Sequence, residues 1–179
     1  MQVGFSIFGL LLLATAAAAQ TGVRLSPRDP AALIEPKTLV RRYCEMDAQG
    51  FRLASDTAKR LESVTTFESL PEWHGFDVIA RYEIAGAKSN ARGVLVTVNY
   101  VVLGRFEIGV GYTPEPRLVT LEIQAVADND DWKVLGTDNL NRPRISRART
   151  LKWLQDQLAT EQDAEWKQTL QRAIQQLQP

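Results

Sequence analysis

Cysteine and histidine are nearly absent from this chain. Cys44 is its one cysteine and His74 its one histidine, in 179 residues. A lone cysteine excludes an intramolecular disulfide, and one of each type cannot build a Cys/His zinc site. No Gly-x-Ser-x-Gly elbow occurs, so a Ser-His-Asp arrangement has no support. No phosphate-cradling glycine loop is present. Net charge is absent too: 21 basic residues balance 21 acidic ones. That removes any general attraction to nucleic acid or to an anionic membrane. No internal repeat is found, and low complexity is confined to the N-terminus.

What is present begins with an apolar run over residues 5–14, followed by small residues over 15–19. Ala17 and Ala19 form an A-x-A cleavage signal, which predicts a signal peptide over residues 1–19 and a mature start at Gln20. The run is short of the roughly 20 residues that span a bilayer. No Lys or Arg precedes it, whereas Arg24 and Arg28 follow, the reverse of the usual charge bias. An uncleaved anchor is therefore the alternative, and the only route to a membrane. No cysteine follows the run, which excludes a lipoprotein anchor there. The expected location is periplasmic or secreted.

Residues 20–36 contain several prolines and read as a linker. A helix is expected from Pro36 or Thr38 to Ala48, with Leu39, Val40, Tyr43, Cys44 and Asp47 on one side. Cys44 there is a small buried hydrophobe. Gly50 stops this helix, and Ser55 is a suitable N-cap for a second over residues 56–64. A strand is expected over residues 76–84 and a turn over 86–90. Residues 94–103 form the strongest strand, apolar on both sides and therefore central. Residues 111–116 read as a loop. Residues 118–135 form a hairpin in which Val119, Leu121, Ile123, Ala125 and Ala127 share one face. After Pro143 the chain turns helical. Leu151, Leu154 and Leu158 recur at helical spacing. Thr160 with Asp163 resembles a capping box before the stripe Trp166, Leu170, Ala173, Ile174, Leu177.

The order helix, helix, strand, long strand, hairpin ends in an acidic turn followed by Trp132-Lys133-Val134. It resembles the nuclear transport factor 2-like superfamily, also described as cystatin-like. The first helix, Leu39 with Val40, Tyr43 and Cys44, and the segment around Phe67, Pro71 and Trp73 are similar to small exported bacterial members. The resemblance covers residues 37–140. It implies an α+β fold, with a strongly curved, mostly antiparallel sheet wrapped around the N-terminal helices. Residues 141–179 add a C-terminal helical extension. Such a fold hosts many activities and names none.

In enzymes of this superfamily, acids, tyrosines or histidines point into the cone. The matching catalytic candidates are Asp47, a base with a pKa raised by burial, His74, Tyr82 and Tyr100. Each also has an ordinary reading, as a helix-end acid, a loop histidine and core-edge tyrosines. Tyr43 and Trp132 are the ligand-contact candidates. Arg142, Arg144, Arg147, Arg149 and Lys152 carry no acid among them and suggest a patch for an anionic partner. Asp128, Asp130 and Asp131 lack the Gly and distal Glu of a calcium loop, so no metal is expected. No cofactor is implied.

The expected function is that of an exported, non-catalytic binding or interaction protein. It would take a small apolar ligand in the cone, or a protein partner through sheet or tail. A homodimer through the face of Leu118, Thr120, Glu122, Gln124 and Val126 fits the resemblance. The competing expectation is a lyase or isomerase of the ketosteroid isomerase or dehydratase type.

Overall fold

The computed structural model describes residues 34–129 and 131–178. The signal peptide, its cleavage site, nearly all of the linker, and Asp130 of the acidic turn lie outside them. Among the described residues the chain is α+β. Helices α1 (Ile34–Ala48) and α2 (Ser55–Glu62) precede four strands, β1 (Gly75–Asn90), β2 (Gly93–Glu107), β3 (Gly111–Asp128) and β4 (Asp131–Val134). Strand β5 (Arg144–Ser146) and helices α3 (Arg147–Thr160) and α4 (Ala164–Leu177) complete it. The strands form one curled sheet in the order β4-β3-β2-β1-β5. Pairing is antiparallel except between β1 and β5. The expected curved sheet with helices is thus observed, and β2 is central. No helix among the described residues is long and apolar enough to cross a membrane.

Alternation alone does not explain which side each residue of β2 serves. Val94, Val96, Val98, Tyr100 and Val102 pack with Val40, Tyr43, Cys44 and Met46 of α1 and with Leu61 and Val64. Beyond Val102 the pairing slips. Val102 faces Ile79, but Gly104 faces Val78, so Leu103 is unmatched. One extra residue in a strand reverses the face of everything after it. Phe106, in phase with Val102 by sequence, therefore joins Phe76, Val78 and Ile145 in a second core under α3 and α4. The two faces of β2 serve two cores because of that bulge.

The second core is largely aromatic. Phe76 and Phe106 stack at 5.2 Å between ring centroids, and Trp153 meets both edge-on at 5.7 and 5.3 Å. Leu154, Leu170, Ala173 and Leu177 close it. Burying such side chains stabilises by about 1.5–3 kcal/mol each. The C-terminal helices are consequently part of the fold, and β5 joins them to the sheet through Asp77, Val78 and Ile79. The boundary drawn at residue 140 from the sequence falls just before a strand of the same sheet.

Several local expectations shift. The strand begun at Gly75 runs to Asn90, so residues 86–90 are strand and the turn is at Ala91 and Arg92. Residues 111–116 belong to β3 and are not a loop. Ser55 lies inside α2, and Ala54 precedes it without a side-chain cap. The cap of α4 is Asp163, whose carboxylate accepts from the Trp166 N–H, while Thr160 ends α3. Residues 34–36, expected as linker, already form the first turn of α1.

Candidate functional site

The concave side of the sheet is occupied by the chain itself. At its centre lies a polar cluster drawn from α1, the turn after it, β2 and β5. Asp47 is 2% exposed and Arg52 and Arg144 are each 5% exposed. Arg52 Nε faces Asp47 Oδ1 at 3.4 Å, and the Arg144 backbone N–H donates to Asp47 Oδ2 at 2.9 Å. Arg52 Nη2 donates to the Tyr43 hydroxyl at 2.7 Å. The Arg144 guanidinium lies over the Tyr100 ring at 5.1 Å, and the Tyr100 hydroxyl meets Cys44 Sγ at 3.1 Å. Burial raises the Asp47 pKa, against the opposing pull of Arg52 and Arg144. It also pushes Cys44 up to about 12 and Tyr100 well above a free tyrosine.

At the mouth the chain leaves an open cleft of about 540 Å³. That lies within the range of about 300–1,000 Å³ usual for ligand sites. One wall is Glu72, Trp73 and His74, and the other is Asp138, Asn141 and Arg142. Gly75, Glu107, Ile108 and Val110 form the floor and lip. Gly75 is required there, because a Cβ would meet the Phe106 carbonyl at 2.5 Å. Ile108 and Val110 stand 55% and 65% exposed.

Two buried arginines hold both walls, one through its backbone carbonyl and both through their guanidiniums. The Trp73 indole N–H donates to the Arg52 carbonyl at 3.0 Å, and Arg52 Nη1 donates to the Asn141 carbonyl at 3.2 Å. Arg144 donates to the carbonyls of Arg142 and Asn139 at 3.1 and 3.2 Å. The cleft's shape therefore depends on the Asp47 cluster below it.

Charges alternate across the adjoining sheet. Arg117 pairs with the buried Asp77 at 3.0 Å and with Glu115 at 2.8 Å. Arg142 lies 3.9 Å from both Asp77 and Glu107, and Arg105 is 3.6 Å from Glu107. Glu72 and Asp138 form no ion pair among the described residues.

The sequence candidates are distributed unequally over these two places. Asp47, Tyr100 and Tyr43 meet in the buried cluster. Tyr82 is half-buried beside Tyr100, at 6.1 Å between rings, and its hydroxyl donates to the Arg41 carbonyl at 3.4 Å. Only His74 of the four catalytic candidates lines the cleft. Trp132 packs half-buried on the edge of the first core.

The five basic residues do not form one surface. Pairing of β5 with β1 sets Arg144 opposite Asp77 and carries its side chain inward. Arg142 is drawn to Asp77 and Glu107, Arg149 donates to the Gln49 carbonyl, and Lys152 pairs with Asp156. Arg147 is exposed.

Arg52, Trp73, Asp77, Glu107 and Arg117 were not singled out from sequence. Arg52 had one signal, a charge set between Phe51 and Leu53. Trp73, in the segment before β1, is held by the Arg52 carbonyl, and Asp77, Glu107 and Arg117 are brought to the site by strand pairing. No family model matches the chain, and no curated protein or solved structure matches it.

Proposed function

We propose that this chain is a non-catalytic binding protein of nuclear transport factor 2-like type, with its ligand site at the mouth of the cone. The observation that carries this reading is the contrast between a filled concave side and an open mouth. Asp47 and Tyr100, the groups a lyase or isomerase would use, are spent on internal partners and closed to solvent. The cleft instead offers an apolar lip, an indole and two carboxylates, Glu72 and Asp138, that form no ion pair among the described residues, which suits recognition. Export to the periplasm or beyond, and pairing of two copies through the face that carries the 79% exposed Leu118, belong to the same proposal.

An NMR titration of the full chain against a fragment mixture tests it. Shifts concentrated at Trp73, His74, Ile108 and Val110 are the expected result. Turnover of a ketosteroid or a dehydratase substrate that disappears in Asp47→Asn would overturn it.

A further inference from the structure

We infer that the mouth cleft takes a cationic segment of a partner protein, one in which basic and apolar side chains are neighbours. This rests on the binding reading above and adds the class of occupant. Three carboxylates line the cleft, Glu72, Glu107 and Asp138, against one guanidinium, Arg142. Even that guanidinium is shared, since it also faces Asp77 at 3.9 Å. Glu107 in turn is partly offset by Arg105 from outside the cleft. Glu72 and Asp138 are left to face solvent without a counter-charge.

The apolar side of the inference comes from the lip. Ile108 and Val110 sit on the turn between β2 and β3, more than half exposed, on the same cleft. These two aliphatic groups offer apolar surface beside the polar walls. Trp73 supplies the matching apolar wall. Its indole N–H is already used by the Arg52 carbonyl, so its ring is held in place rather than free to turn. A small amine would satisfy the carboxylates but leave Ile108 and Val110 bare. An anionic ligand would meet Glu72 and Asp138 with like charge. A peptide segment covers the lip with one side chain while the next reaches the acids. The preformed walls lower the ordering cost of such binding.

Fluorescence anisotropy with the full chain and a labelled, end-blocked peptide alternating lysine with leucine provides the test. The expected result is saturable binding that weakens with salt. The double variant Glu72→Gln with Asp138→Asn should weaken it about fivefold, the scale of two exposed ion pairs. Ile108→Ser should weaken it by a similar factor. All three substitutions are at exposed positions, and circular dichroism verifies that the fold is kept.

Three outcomes would overturn the inference. Equal binding of a glutamate–leucine peptide, with no effect of the double variant, removes the charge component and leaves the binding reading standing. Spermine competing equally well in the parent and in Ile108→Ser would make this a small-amine site. If peptide, spermine and apolar fragments all leave the amide signals of Trp73, His74, Ile108 and Val110 unmoved, the binding reading falls with it.

Discussion

Removing the Asp47 carboxylate should expose how the buried cluster is balanced. In Asp47→Leu the Arg52 guanidinium remains 5% exposed and loses its counter-ion, while the Arg144 N–H loses its acceptor. Breaking one side of a buried pair costs about 3–5 kcal/mol. The orphaned N–H is part of that figure and is not added to it, because both losses come from one carboxylate. A domain of this kind is stable by about 5–15 kcal/mol, so the variant should remain folded but fragile. Arg52→Met should cost less. The carboxylate it strands can take up a proton, whereas a guanidinium cannot give one up. The double variant Asp47→Leu with Arg52→Met leaves no unpaired charge. Its cost should fall short of the sum of the singles by about 2–3 kcal/mol. Urea unfolding followed by circular dichroism measures all three. A cost below about 1 kcal/mol for Asp47→Leu, or singles that simply add, would refute the reasoning.

Three further predictions follow from the same packing. The folded Asp47 pKa is raised by burial, so the folded state holds the proton more tightly than the unfolded one. Its contribution to stability is therefore greatest at low pH, falls as pH rises from about 4 to the folded pKa, and is flat above. Arg52→Met should show this decline relative to Arg52→Met with Asp47→Asn in unfolding measured across pH, and a constant difference would contradict it. Cys44 is buried against Tyr100 with its thiol pushed up to about 12, so iodoacetamide should label it only after denaturation. Rapid labelling of the native chain, read by mass spectrometry, would show that the cluster is open. Phe106→Ala removes the ring between Phe76, Trp153 and Trp166 and should cost about 3–5 kcal/mol. Limited proteolysis should then cut within α3 and α4 first, and an unchanged digestion pattern would mean that those helices do not depend on this core.

Elements with strong local periodicity were legible from the chain. Residues 94–103 alternate with apolar groups on both sides, and the strand is indeed central. The stripe Leu170, Ala173, Leu177 does line the inner side of α4. Residues 86–90 and 111–116 read as a turn and a loop, yet both are strand. In the structure Pro114 and Pro116 lie in β3, where only β2 pairs alongside, and Gly86 follows a register shift beside the unmatched Ala85. A proline on the open side of a strand forfeits no ladder bond.

The candidate site was legible only in pieces. Asp47 on the buried side of α1 was visible as a helical phase, and His74 as the only imidazole. That Asp47 meets Arg52 and Arg144 was not, since those residues lie 5 and 97 positions away and act through a turn and a short parallel strand. Arg144 read as solvent-facing charge because its neighbours are basic, and only β5 pairing turns it inward. The cleft has no sequence signature at all. It arises where three segments, 72–75, 107–110 and 138–142, converge.

By itself, then, the sequence determined most of the helical and strand segments, which faces are apolar, and that no intramolecular disulfide joins them. Those properties follow from residue type and spacing of a few positions. Tertiary structure decided the rest: which side of β2 each residue serves, which charges are paired, and where space is left open. A one-residue bulge at Leu103 divides the molecule into two cores, and a three-residue strand at Arg144 buries a charge. Both depend on pairing between distant segments, which no local pattern encodes.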